Sequence, residues 1–207
     1  MATRNRWSVY PDDVVGWRSE LPQLPDDTLR TWSRSVLDAG AETGMLTPIA
    51  PVPPGSLPFA GALRTATRVA HVNGDGDVVE CDVADMADLV AEVRSTAASV
   101  HTPALTVTSL PRGGGGVSTT VSFATDIWLP WTSVAHEPGM RWDELVDNSE
   151  LATVHTPRLN AFLAAVREAT EDVGGQWSLD EDLLFSLYAF EVDERGVLLD
   201  VPLSEHA

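Results

Sequence analysis

The sequence predicts an α+β fold: an antiparallel or mixed sheet of about six strands, arranged as three hairpins, with two or three helices mainly on one face. Segments in which apolar and polar residues alternate occur in three pairs, and a short turn-like stretch joins the members of each pair. Segments with helical spacing of apolar residues separate these pairs. The chain has 207 residues, 43% of them hydrophobic and seven of them Trp, which is enough to bury one sizeable core.

The first 58 residues are predicted to pack on a core domain that comprises residues 59 to 207. Residues 1 to 25 are expected to be irregular, with their scattered aromatic residues lying against the domain. A short amphipathic helix should follow, capped by one of two adjacent aspartates and ended by Gly40. The next stretch indicates an extended connector because it contains five prolines, Pro48, Pro51, Pro53, Pro54 and Pro58.

The first hairpin is predicted between Leu63 and Val83, where alternating residues flank the turn Asn73-Gly74-Asp75-Gly76. That turn sequence favours the left-handed backbone angles that a tight hairpin needs. A helix is expected next, because apolar residues from Met86 to Ala97 form one stripe.

The second hairpin should pair residues 105 to 110 with a long strand, Val117 to Trp131, through the glycines at 113 to 116. Odd positions of that strand are mostly apolar and even positions small or polar, so one face should lie in the core. The alternation breaks near Asp126, where Trp128 falls on the otherwise polar face. The strand is therefore predicted to bring a carboxylate and two indoles to one edge of the sheet.

The clearest helix is predicted to start with Thr156 as its cap and Pro157 at its first helical position, and to end at Gly174. After it, residues 183 to 192 and 197 to 201 should form the third hairpin. The resulting order of hairpins and helices is what predicts helices packed on one face of a sheet.

Charge is the strongest global feature of the sequence. Thirty-one acidic residues oppose thirteen basic ones, all of them Arg, which gives a formal charge of -18. The first 37 residues sum to zero, so the whole excess falls on the remainder of the chain. Such a protein is expected to repel nucleic acid and anionic membranes and to attract a basic protein or a cation. GC-rich codon usage or a high-salt habitat would produce the same composition.

The sequence therefore favours a non-enzymatic, acidic protein-binding module, in its most concrete form an immunity-type neutraliser of a basic toxin or nuclease. Aromatic anchors within an acidic rim suit such a partner, because the rings supply desolvated area and the carboxylates pair with Arg or Lys. The predicted partner-binding residues follow the long strand: Asp126, Trp128, Trp131, Trp142, Asp143, Glu144 and Asp147.

A small metal-dependent hydrolase is the alternative, with Asp126, His136 and His155 as two histidines and one carboxylate. A second alternative is an accessory or structural protein whose acidity reflects habitat or codon usage. No cofactor is expected: the glycines at 113 to 116 lack the Lys and Ser or Thr of a phosphate loop. The single cysteine and the absence of a long apolar run favour a cytoplasmic protein. The sequence does not indicate an oligomeric state.

Overall fold

The architecture was taken from a computed structural model. It describes residues 13–48, 63–65, 68–72, 78–82, 105–123, 126, 128–133, 145–184, 188–189 and 191–201. Two helices are described, α1 (Asp26–Thr43) and α2 (Ser149–Asp172). The strands are β1 (Val15–Leu21), β2 (Leu46–Pro48), β3 (Leu63–Thr65), β4 (Arg68–Val72), β5 (Val78–Asp82), β6 (Thr106–Pro111), β7 (Val117–Phe123), β8 (Trp131–Ser133), β9 (Leu145–Asp147), β10 (Gln176–Leu179), β11 (Val192–Asp193) and β12 (Gly196–Val197).

The main sheet has four antiparallel strands in the order β10-β1-β7-β6. Each of the four small pairs, β2-β3, β4-β5, β8-β9 and β11-β12, forms a separate two-stranded sheet. The α+β class and the antiparallel pairing are confirmed, but the predicted arrangement of about six strands in three hairpins is not. The pairs β4-β5 and β6-β7 form as predicted, but β3, which was predicted to belong to the first hairpin, pairs with β2 instead. In place of the third predicted hairpin, the structure has β11 and β12, strands of two residues each.

Strand β1 lies at the centre of the sheet, within the stretch that the sequence predicted to be irregular. Its inward residues, Val15, Trp17, Ser19 and Leu21, are buried, and of the residues between them Arg18 and Glu20 are less buried. This period of two was present in the sequence, but Gly16 and Ser19 weakened it and the surrounding prolines suggested a loop. The boundary predicted at residue 58, most of the proline-rich connector and the helix predicted after β5 lie outside the described residues.

Strand β7 is shorter than predicted and ends at Phe123. Its residues Val117, Thr119, Val121 and Phe123 are buried on the same face as the inward side of β1. On that face the Ser19 hydroxyl is hydrogen-bonded to the Thr170 hydroxyl of α2 at 2.8 Å. The predicted core strand is therefore correct over its first seven residues, and helix α2 covers its inner face.

Helix α1 continues past its predicted end at Gly40. That glycine is buried inside the helix, and a Cβ there would lie 2.5 Å from Leu46 Cγ. Its role is close packing against β2, and the helix ends instead at Gly44, whose φ of 70° is left-handed. Near the other end of α1, Trp32 Nε1 lies 3.4 Å from Thr170 Oγ1 of α2.

Helix α2 begins seven residues before the predicted cap, so Thr156 and Pro157 lie inside it. The Asp147 carboxylate accepts hydrogen bonds from the Ser149 amide at 3.0 Å and the Ser149 hydroxyl at 2.5 Å, at the point where the helix begins. Proline cannot donate a helical hydrogen bond, but Pro157 is exposed and tolerated. The Thr156 hydroxyl donates to the Trp128 carbonyl instead of capping. Neither described helix combines the length and apolar content that a membrane crossing requires.

Candidate functional site

The first described residues after β7 lie in the core. Asp126 has 0% exposure and its carbonyl accepts a hydrogen bond from the Leu129 amide at 3.0 Å. Trp128 also has 0% exposure, and its ring lies 6.4 Å from that of Phe123. Both residues were predicted to contact a partner from the surface, and the structure corrects this: they belong to the core. Trp128 fell on the wrong face in the sequence pattern because the strand had already ended.

A pair of buried carboxyl groups lies at this junction. The Asp126 carboxylate accepts a hydrogen bond from the Tyr188 hydroxyl at 3.1 Å. Glu191 has 0% exposure, and its Oε2 accepts a hydrogen bond from the Trp131 amide at 3.0 Å. Burial raises the pKa of Glu191 to about 8; the Trp131 amide opposes this rise, and the negative charge of Asp126 adds to it. This site therefore favours one protonated carboxyl group near neutral pH.

Tyr188 and Glu191 were missed by the sequence prediction. The available signal was a single glutamate at the end of the apolar run from Leu183 to Phe190. An acidic residue in such a run is typical of a buried polar contact. Its partner could not be found this way, because Tyr188 and Asp126 are 62 residues apart in the chain.

The final described segment, residues 191 to 201, is here called the C-terminal strap. Three indoles donate hydrogen bonds to its backbone carbonyls: Trp17 to Asp193 at 2.8 Å, Trp177 to Glu194 at 2.8 Å and Trp131 to Val201 at 2.9 Å. Since Trp131 is only half-buried, part of its ring remains accessible. Its predicted role in partner binding is untested, but its indole N–H is already used within the protein.

Helix α2 holds the same strap through one amide side chain. Asn160 Nδ2 donates to the Val197 carbonyl and Asn160 Oδ1 accepts from the Val197 amide, both at 2.9 Å. The amide therefore pairs with β12 as a neighbouring strand would. Gly196, with φ of 130°, leaves no room for a Cβ beside Asn160 Oδ1. Glycine is required here by both conformation and space.

The other predicted site residues are only partly described. Asp147 is half-buried, lies opposite Trp131 in the β8-β9 pair and holds Ser149. Trp142, Asp143, Glu144 and His136 lie outside the described residues, as does the side chain of His155 within α2. Among the described residues, no three His, Cys, Asp or Glu side chains could together hold a metal ion. The predicted set of Asp126, His136 and His155 thus remains a prediction.

Exposed acidic residues lie where α1 begins and where α2 ends, and we call this group the acidic helix end. It consists of exposed residues from both helices, which are neighbours here because Trp32 contacts Thr170. The last turn of α2 contains no basic residue, although the carbonyls of a helix C-terminus favour positive charge. The members of this surface are Asp26, Asp27, Glu168, Glu171 and Asp172.

Several arginines of the described surface are already paired within the protein. Arg18 binds Asp180 through two nitrogens, with distances from 2.6 to 3.1 Å, and Arg112 lies 3.0 Å from Glu20. Arg30 is paired with Asp27 of the acidic helix end. By contrast, Glu168, Glu171 and Asp172 form no ion pair with any other residue in the described part of the chain. These three carboxylates are exposed to solvent.

Comparisons with family models, with curated proteins and with solved structures found no match to this chain. The physical properties of the sites described above thus provide the basis for a functional proposal. Of these sites, the carboxyl pair is closed to solvent and the acidic helix end is open to it.

Proposed function

We propose that this protein is a non-enzymatic binding module for a basic protein, and in its most concrete form an immunity-type neutraliser of a basic toxin or nuclease. The observation that carries the proposal is the formal charge of -18. A field of that sign accelerates encounter with a cationic partner and repels nucleic acid and anionic lipid. Masking a cationic active site is a task that benefits directly from such rapid, steered association.

The acidic helix end supports this proposal and is the first location to be tested. Negative side chains at a helix C-terminus oppose the helix dipole, with a cost of about 0.3–1 kcal/mol each. Glu171 and Asp172 lie in the last turn of α2, which contains no basic residue to offset this cost. A cationic partner would relieve the unfavourable interaction on binding. The sequence-predicted segment with Trp142, Asp143 and Glu144 is the second location to be tested.

The experiment identifies a basic protein that this protein binds at moderate salt and measures their association over a range of salt concentrations. Charge reversal at the acidic helix end (Glu168→Lys, Glu171→Lys and Asp172→Lys together) should slow association and flatten its salt dependence. Glu181→Lys is the matched control, because Glu181 is exposed but lies outside this surface. Asp143→Lys with Glu144→Lys tests the second location.

Two results would reject the proposal. The first is the absence of a basic partner at moderate salt, and the second is association unchanged by either set of charge reversals. An immunity-type role further requires that an equimolar complex suppress the activity of the toxin or nuclease. We also expect a cytoplasmic location and no binding to DNA or anionic vesicles at physiological salt, because the same charge opposes both.

A further inference from the structure

We propose that protonation of Glu191 controls the position of the C-terminal strap. The strap stays closed while the Glu191 carboxyl group holds a proton and opens when that proton is lost. This inference is independent of the proposed partner. It rests on the position of the carboxyl pair at the place where the strap begins.

Hydrogen bonds with Trp131 hold both ends of the strap, at Glu191 and at Val201. Glu191 Oε2 accepts the Trp131 amide, and the Glu191 carbonyl accepts the Leu198 amide at 2.7 Å. The Trp131 indole in turn donates to Val201 near the other end of the strap. Movement of Glu191 toward solvent would therefore break the bond to Trp131 and loosen the whole segment.

The surroundings of Glu191 oppose its negative form. Asp126, directed toward Tyr188, is the charged group among the described residues that acts on Glu191. The neighbouring carboxylates are occupied elsewhere, since Asp193 binds Arg195 and Asp147 binds Ser149. Burial, and to a smaller extent the charge of Asp126, raise the pKa of Glu191 to about 8. Ionised Glu191 gains most by moving to water, because two buried like charges are mutually destabilising.

Opening of the strap is expected to be local. Its two strands contain two residues each, and its buried apolar side chains are Val192 and Val197. Its other described attachments are hydrogen bonds: one from each of three indoles, two with Asn160, and one from the Glu191 amide to the Tyr188 carbonyl. The four-stranded sheet and the contact between Trp32 and Thr170 do not depend on the strap. Segments held by few apolar contacts open at lower free energy than the core.

The test is hydrogen exchange of the indole N–H groups in the full-length protein between pH 6 and 8, expressed as protection factors. Protection at Trp17, Trp131 and Trp177 should fall by up to tenfold per pH unit, since an open Glu191 ionises at its ordinary pKa. The indole of Trp32 is the internal control, because it contacts α2 and not the strap. Its protection should exceed that of the three strap indoles at every pH, because a core indole exchanges only when the core unfolds.

Glu191→Gln mimics the protonated carboxyl group, so the three indoles should stay protected across the whole range. Glu194→Gln is the matched control, since Glu194 is an exposed residue of the same strap, and its pH dependence should be that of the unmodified protein. If Glu191→Gln does not fold, Asp126→Asn replaces it. That variant should show weaker pH dependence, because the charge that opposes ionisation of Glu191 is gone.

Four results would overturn the inference. These are constant protection in the unmodified protein, unchanged pH dependence in the folded Glu191 or Asp126 variant, protection at Trp32 no higher than at the three strap indoles, and a response to a metal chelator at fixed pH. The third would indicate global unfolding. The fourth would mean that a cation, not a proton, balances the carboxyl pair.

Discussion

Replacement of Asn160 should destabilise the protein by more than its half-exposed position suggests. In Asn160→Ala, both the amide and the carbonyl of Val197 lose their partner in α2. Val197 is only 3% exposed, so water cannot easily replace either bond. A buried unsatisfied polar group costs about 1–3 kcal/mol, and two such groups give an expected loss of about 2–4 kcal/mol after partial relaxation. That is a large fraction of the roughly 5–15 kcal/mol by which domains are stable.

Urea unfolding at neutral pH measures this loss, and two further variants separate the causes. Asn160→Asp keeps an acceptor for the Val197 amide but places a carboxylate oxygen against the Val197 carbonyl, so it should be at least as destabilised. Gln176→Ala removes an exposed amide from β10 and should stay within about 0.5 kcal/mol of the unmodified protein. A loss below about 0.5 kcal/mol in Asn160→Ala would refute the reasoning, since it would mean that this amide does not hold the strap.

Three further outcomes are expected. Gly40→Ala should lose about 1–3 kcal/mol by overpacking, because its Cβ would lie 2.5 Å from Leu46 Cγ, and Leu46→Ala in the same chain should recover part of that loss in thermal unfolding. Glu171→Gln with Asp172→Gln should raise the unfolding free energy by up to about 1 kcal/mol per site while slowing partner association; lower stability would contradict the dipole argument. The stabilisation from protonated Glu191 is complete below about pH 4.5 and declines by up to about 1.4 kcal/mol per pH unit as pH rises to 8, so unfolding of Glu191→Gln should lack this component.

The local sequence pattern correctly predicted those elements whose structure depends on residues close together in the chain. The hairpin β6-β7 was predicted correctly because its alternation and its glycine turn agree. The start of α2 was misplaced because Thr156 followed by Pro157 is a strong local signal for a helix start. In the structure the Thr156 hydroxyl does not cap the helix but donates a hydrogen bond to the Trp128 carbonyl. Propensity is a weak signal when packing on one face stabilises the longer helix.

The candidate site could be predicted only in its position along the chain. The end of β7 does meet a polar cluster, as the broken alternation near Asp126 indicated. Its chemistry depends on Tyr188 and Glu191, which come from the C-terminal part of the chain. The periodicity of apolar residues does not show which distant segments come into contact. The same limit explains why Trp128 was assigned to the surface: composition cannot tell an interface indole from a core indole.

The position of the described tryptophans constrains how a partner could be recognised. Trp32 and Trp128 are buried in the core, and the indole N–H groups of Trp17, Trp131 and Trp177 are bonded to the strap. Tight interfaces usually draw most of their energy from a few desolvated aromatic or arginine anchors. At the acidic helix end such anchors would have to come from the partner, and this protein would contribute charge. Charge governs the association rate more than the lifetime of a complex, so salt should act mainly on the rate of association. A complex whose dissociation rate alone responded to salt would place the interface elsewhere.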